Sequence, residues 1–151
     1  MLNETVLMCL LSFTRSIRHL RTKLYDCHMV RYVRPFLTHE SLKIRHLALK
    51  IICNLVLVFS PFRDDFTDKT SLAVLRRAID IKEFNELTST TMLLFKNLAY
   101  WSSREFAENL IETLSAEQLI ACFFHSLEYQ SLSIDENGNF FLTLLVLLQK
   151  L

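Results

Sequence analysis

The sequence predicts an all-α protein in which a unit of helices repeats along the chain. Its 151 residues include one glycine and two prolines, too few for the turns that a β-sandwich or β-barrel requires. Hydrophobic residues make up 51% and charged residues 22%, a balance that allows one well-packed core. The third observation is an apolar segment that recurs at a nearly constant interval. Each predicted element follows from that interval.

The repeat is recognised from an asparagine within an apolar run. "LKIICNLVLVFS" aligns with "LLFKNLAYWSS", which pairs Asn54 with Asn97 at an interval of 43, and with "MCLLSFTRS", which places Ser12 there at 42. A fourth copy, "FLTLLVLLQKL", brings Lys150 to the same position after a polar insertion loop at 128–138. A period in the low forties is typical of armadillo and HEAT solenoids.

Shorter segments between these copies supply two more helices per repeat, which is the armadillo plan. We therefore predict one domain over 1–151, an armadillo-type right-handed solenoid of about three to four repeats. The intervening segments are "IRHLRTKLY" and "HMVRYVRPFLT", "PFRDDFTD" and "SLAVLRRAID", and "REFAENLIETL" and "AEQLIACFFHSL".

Helix boundaries have their own signals. Ser60 before Pro61 predicts an N-cap followed by proline at the first helical position, and Ser115 with Gln118 has the spacing of a capping box. The glycine usual between the first two armadillo helices is missing. We expect Asp26 and Asp68 to take that corner, because short polar side chains tolerate left-handed backbone geometry.

On a helical wheel, the Asn54 position lies on a stripe about 80° wide, and polar residues recur there while most other positions are apolar. The third helix of each repeat is therefore predicted to form the inner layer, with this stripe facing the concave groove. An alternative stays open: each amide bonds a neighbouring helix and binds no ligand. We predict a protein-binding groove at Lys43, Lys50, Asn54, Glu86, Thr90, Asn97 and Trp101; the fourth copy would add Asn139, Thr143, Val146 and Lys150.

The segments "LLSFTRSIRHLR", "ICNLVLVFSPFRDDFTD" and "LFKNLAYWSSREFAENLIETLSAEQLIACF", over about residues 6–127, resemble the C-terminal armadillo repeats of the armadillo-repeat subunit of the GID/CTLH E3 ubiquitin ligase. The resemblance implies a non-catalytic scaffold. It would dock an exchangeable substrate receptor through its groove beside CTLH and RING core subunits, and so support ubiquitin-dependent proteasomal degradation.

Enzymatic and metal functions find little support in the sequence. The five histidines lack zinc-ligand spacing with cysteine or carboxylate, and no GxSxG nucleophile elbow is present. We predict no enzyme activity, no cofactor and no metal.

The alternative function is a generic armadillo peptide-binding adaptor, either a nuclear-import receptor or a cytoskeletal or adhesion scaffold. Import receptors stack lysine stems on a tryptophan four residues before the asparagine, where this chain has Lys50 and Leu93.

Charge and cysteine use bear on location and partners. Residues 1–50 carry nine Lys or Arg against three Asp or Glu, but the arginines are spaced as solvated helix faces, so no nucleic-acid partner is predicted. The apolar runs are too short for a membrane span, and no membrane partner is predicted.

Three cysteines lie in apolar helical runs, which favours free, packed thiols and a cytoplasmic and nuclear location. Apolar segments at both ends favour a fragment of a longer solenoid.

Overall fold

A computed structural model of the chain describes residues 2–15, 20–57, 61–80, 82, 85–99, 103–115, 117, 118, 120, 121 and 124. Within these residues the chain forms α-helices and 3-10 helices and no strand. The α-helices are α1 (Leu2–Thr14), α2 (Arg21–Asp26), α3 (Met29–Val33), α4 (Leu42–Leu55), α5 (Lys69–Arg76), α6 (Glu86–Ala99) and α7 (Arg104–Thr113), and the 3-10 helices are Arg34–Thr38 and Pro61–Phe66.

The helices α1, α4 and α6 form the inner layer. They contain the three aligned positions Ser12, Asn54 and Asn97, and α4 packs between α1 and α6. Because α4 has a neighbour on each side, it buries residues around most of its circumference. The protein is an all-α armadillo-type solenoid, as the sequence predicts. The buried residues of α4 are Ile44, Ala48, Leu49, Ile51, Ile52, Cys53 and Leu55.

The other helices form the outer layer. The 3-10 helix Arg34–Thr38 continues α3 and packs against α4, while α5 packs against α7 of the following repeat. The segment "PFRDDFTD", expected to be an ordinary helix, is instead the 3-10 helix Pro61–Phe66. Short helices of this length commonly adopt 3-10 geometry. The helix buries Phe62 and Phe66 against the core.

The corner between the first two helices is not made as expected. Asp26 is the last residue of α2, and His28 adopts the left-handed conformation at φ 50°. The His28 amide donates to the Tyr25 carbonyl at 2.8 Å, as in a helix C-terminal cap. Asp68 has extended backbone because it N-caps α5, accepting from the Ser71 amide at 3.0 Å. The prediction of left-handed aspartates was therefore wrong at both corners.

Two other boundary predictions have different outcomes. The capping box is confirmed: the Ser115 amide donates to Gln118 Oε1, and the Gln118 amide donates to Ser115 Oγ, both at 3.2 Å. Ser60, predicted as an N-cap, lies outside the described residues.

The cysteines differ from one another in exposure. Cys9, Cys27 and Cys53 carry free thiols, and Cys122 lies outside the described residues. Only Cys53 of these three is buried. Cys9, expected to pack as a small hydrophobic residue, is exposed on α1, because in the described structure α4 covers one face of α1 only. In the described part of the chain, no helix is long and apolar enough to cross a membrane.

Candidate functional site: a polar stripe on the third helices

The predicted groove residues are here called the third-helix stripe, and those that the structure describes lie on α4 and α6. Lys43 and Lys50 are exposed, Asn54 and Asn97 are half-buried, Glu86 is exposed and Thr90 is buried. Trp101 lies outside the described residues, as do the stripe positions of the fourth copy. The structure thus brings six of the predicted residues onto two neighbouring helices.

The lysines of the stripe are in different electrostatic settings. Lys43 forms an ion pair with Glu4 of α1, and its hydrogen bond is the main reason that the pKa of Glu4 lies below its usual value. Lys50, one turn from Asn54, is exposed and forms no ion pair with any described residue. A lysine in that setting presents its charge to solvent, where an anionic group of a partner can reach it.

Asn54 has a partner on the neighbouring third helix. Its Nδ2 donates to Thr14 Oγ1 at 3.1 Å, and Thr14 is only 1% exposed. The Thr14 hydroxyl in turn donates to the Leu11 carbonyl at 2.9 Å, so the amide completes a small buried network between α4 and α1. This contact gives Asn54 a structural role, the alternative that the sequence left open. The amide of Asn97 forms no side-chain hydrogen bond with the described residues.

His46 lies between α4 and α6, and the sequence did not single it out. Its Nε2 is 2.9 Å from Thr90 Oγ1 and its Nδ1 is 3.2 Å from Glu86 Oε2. Burial, followed by the charge of Lys50, lowers the pKa of His46, while Glu86 opposes that shift. The 44-residue separation of His46 and Thr90 is close to the repeat period, which is the signal that could have identified the pair.

Arg63 is a second residue that the sequence did not reveal. It is 9% exposed, and its Nη2 donates to the carbonyls of Asn97 and Leu98 at 2.5 Å each. Those carbonyls belong to the last turn of α6, which has no intrahelical partners for them. Burial lowers the pKa of Arg63, an effect that Asp64 opposes. Arg63 therefore fixes the helix end that carries Asn97.

The chemistry of the stripe suits non-covalent recognition. It offers an exposed cation at Lys50 and amide groups at Asn54 and Asn97, which can bind carboxylates and peptide backbone respectively. Among the residues that the structure describes, no cluster of three or more His, Cys, Asp or Glu could hold a metal ion.

Sequence comparison with known proteins agrees with this fold. The chain is 28% identical over 112 residues to GID complex subunit 5 of Schizosaccharomyces pombe. The aligned region covers 74% of the chain and 14% of that protein. It is 26% identical over 111 residues to armadillo repeat-containing protein 8 of Mus musculus, covering 74% of the chain and 16% of that protein. The resemblance to an armadillo-repeat GID subunit is confirmed.

A third relative gives a similar alignment. Armadillo repeat-containing protein 8 of Xenopus laevis is 27% identical over 111 residues, or 74% of the chain and 15% of that protein. The chain thus spans about one seventh of the length of these curated relatives. No protein-family model and no solved structure matches the chain.

Proposed function

We propose that this protein is a non-catalytic scaffold subunit of a GID/CTLH-type E3 ubiquitin ligase, acting in the cytoplasm and nucleus. Its role would be to dock the substrate receptor through the third-helix stripe and so support proteasomal degradation. The observation that carries the proposal is the similarity to GID complex subunit 5, combined with an inner layer that keeps polar groups accessible.

The stripe suits an extended tail of the receptor. Lys50 is exposed and can pair with a carboxylate of such a tail, while the half-buried amide of Asn97 can bond its backbone. Asn54 already donates to Thr14, but its side-chain oxygen can still accept a backbone N–H. Trp101, which lies outside the described residues, is assigned to the same stripe by its spacing from Asn97 and would add an apolar anchor for the tail.

The same residues argue against the import-receptor alternative. The position four residues before each asparagine carries Lys50 or Leu93 instead of a tryptophan. A lysine in the groove repels a basic cargo, so the stripe discriminates against nuclear-localisation peptides. A cytoskeletal or adhesion scaffold would instead use the outer helices.

Affinity purification of the tagged protein from cells, followed by mass spectrometry, tests the proposal. We expect co-purification of RING and CTLH core subunits together with a substrate receptor. Recovery of karyopherins or catenin partners without those ligase subunits would contradict it, and would favour one of the two adaptor alternatives.

A further inference from the structure

A cavity of about 590 Å³ opens among the outer helices, away from the third-helix stripe. It is lined by residues of α2, α3, α5 and both 3-10 helices, together with the corner residue His28, and by none of α1, α4 or α6. We call it the outer cavity. Its volume is within the range of about 300 to 1,000 Å³ that is usual for ligand sites.

The wall of the outer cavity is apolar and partly aromatic. The rings of Tyr25 and Phe62 meet edge to face, with centroids 5.3 Å apart and an interplanar angle of 73°. Phe62 is 1% exposed and Val30 6% exposed, whereas Tyr25 is 44% exposed. The buried residues fix the wall while the tyrosine leaves ring surface open to a ligand. Such a wall favours an aromatic side chain, because edge-to-face and offset stacking add to apolar burial.

The charged residues at the rim of the outer cavity differ in whether an opposite charge lies beside them. Arg34 donates to Ser71 Oγ and lies 3.9 Å from Asp68 Oδ2. Asp65, the acidic residue of the lining, also interacts with Arg34; burial is the main reason that its pKa lies above the usual value, and Arg34 partly offsets this.

Arg31 is the contrasting rim residue. Its side chain is exposed, and it forms no ion pair with a described residue. The charge of Asp68 is directed to Arg34 and to the amino end of α5, which it caps. Arg31 therefore leaves an uncompensated positive charge at the edge of an apolar cavity. The complementary ligand joins an apolar side chain to a carboxylate.

We propose that the outer cavity is a second protein-docking site, which binds an acidic peptide segment of a partner through one aromatic side chain. In this arrangement the aromatic ring packs on Tyr25 and Phe62, and a flanking carboxylate pairs with Arg31. The site shares no lining residue with the third-helix stripe, so it does not depend on the function proposed for that stripe.

Fluorescence anisotropy with a synthetic peptide tests this site directly. The probe is a fluorescein-labelled heptapeptide with one central phenylalanine flanked by glutamates, titrated with the full 151-residue protein. We expect saturable binding that a phenylalanine-to-alanine peptide loses and that weakens as salt rises. A peptide with lysines in place of the glutamates should not bind.

Two matched protein variants locate the binding. Arg31→Glu should weaken the peptide about tenfold, because charge reversal replaces an attraction by a repulsion. Arg77→Glu, the same reversal at an exposed arginine that forms no ion pair with a described residue and does not line the outer cavity, should leave affinity unchanged. Both sites are exposed, so neither change removes a core contact. Absence of saturable binding, equal binding of the alanine peptide, or equal effects of both variants would overturn the proposal.

Discussion

Asn54 occupies a predicted binding position and also makes a structural hydrogen bond. Its position on a polar stripe predicts a groove-facing amide, yet its Nδ2 bonds the buried Thr14 hydroxyl of α1. A half-buried amide that links two third helices contributes to stability whether or not a ligand also binds it. The aligned Asn97 has no such partner among the described residues, so the two asparagines can be separated experimentally.

Asn54→Ala should lower the free energy of unfolding by about 1 kcal/mol, because it removes the hydrogen bond to Thr14 and leaves that buried hydroxyl with one partner fewer. Asn97→Ala, as the matched control, should change the free energy of unfolding much less. Urea denaturation followed by circular dichroism measures both. Equal stability of the Asn54 variant and the wild type would show that the Thr14 contact contributes nothing.

Arg63 should matter more than either asparagine. Arg63→Met keeps most of the apolar stem but removes two hydrogen bonds to the end of α6, so we expect a loss of roughly 2 to 3 kcal/mol. Arg63→Lys keeps the charge and can satisfy one carbonyl, and should lie between Met and wild type. Denaturant midpoints rank the three proteins. A Met variant as stable as the Lys variant would mean that the capping contacts are not stabilising.

At the scale of the element, α5 depends on its N-cap. Asp68 accepts hydrogen bonds from the Ser71 amide and hydroxyl. Burial opposes its ionisation, but these bonds from Ser71, the charge of Arg34 and the Thr70 amide outweigh burial and hold the pKa of Asp68 below its usual value. A depressed folded-state pKa stabilises the protein above the unfolded-state pKa, and this contribution disappears as pH falls through the folded-state pKa.

Asp68→Ala should therefore lower the free energy of unfolding by about 1 kcal/mol at pH 7. Asp68→Asn keeps a capping acceptor without the charge, so its deficit relative to wild type should be smaller at pH 7 and should vanish at acidic pH, where the wild-type carboxyl is protonated. Thermal unfolding over a pH series measures the difference. A deficit that is the same at every pH would rule out the charge contribution.

At the scale of the whole molecule, the repeat interval determined what could be predicted. The aligned positions of α1, α4 and α6 were found because one helical repeat places equivalent residues 42 or 43 apart. The same interval recurs in tertiary contacts, such as the ion pair between Lys69 and Glu112, which are 43 residues apart.

Other features depend on contacts between residues that are far apart in the sequence, which local sequence patterns do not reveal. His28 takes the left-handed corner although Asp26 is the better local candidate, because the end of α2 determines which residue becomes the C-terminal cap. Arg63 donates to the carbonyls of Asn97 and Leu98, which are 34 and 35 residues away, and no local sequence motif predicts such a contact. Within the candidate site, the polar stripe followed from helical periodicity, but the Thr14 partner of Asn54 did not.

The central position of α4 has a chemical consequence at Cys53. Desolvation by full burial raises the pKa of the Cys53 thiol to about 12, although Lys96 partly opposes this, whereas Cys9 and Cys27 are exposed. Iodoacetamide at pH 8 should alkylate Cys9 and Cys27 readily and Cys53 only when the chain unfolds. Peptide mapping by mass spectrometry distinguishes them. Alkylation of Cys53 as fast as that of Cys9 in the folded protein would contradict the packing of α4 between α1 and α6.

The most direct test of the central claim is quantitative affinity purification of tagged Lys50→Glu. The charge-reversed protein should lose the substrate receptor at least tenfold while it retains the RING and CTLH core subunits, because Lys50 lies on the proposed docking stripe. The matched control Lys23→Glu, at an exposed lysine of α2 in the outer layer, should retain all of them. Undiminished receptor recovery with Lys50→Glu, or equal loss with both variants, would contradict docking at the stripe.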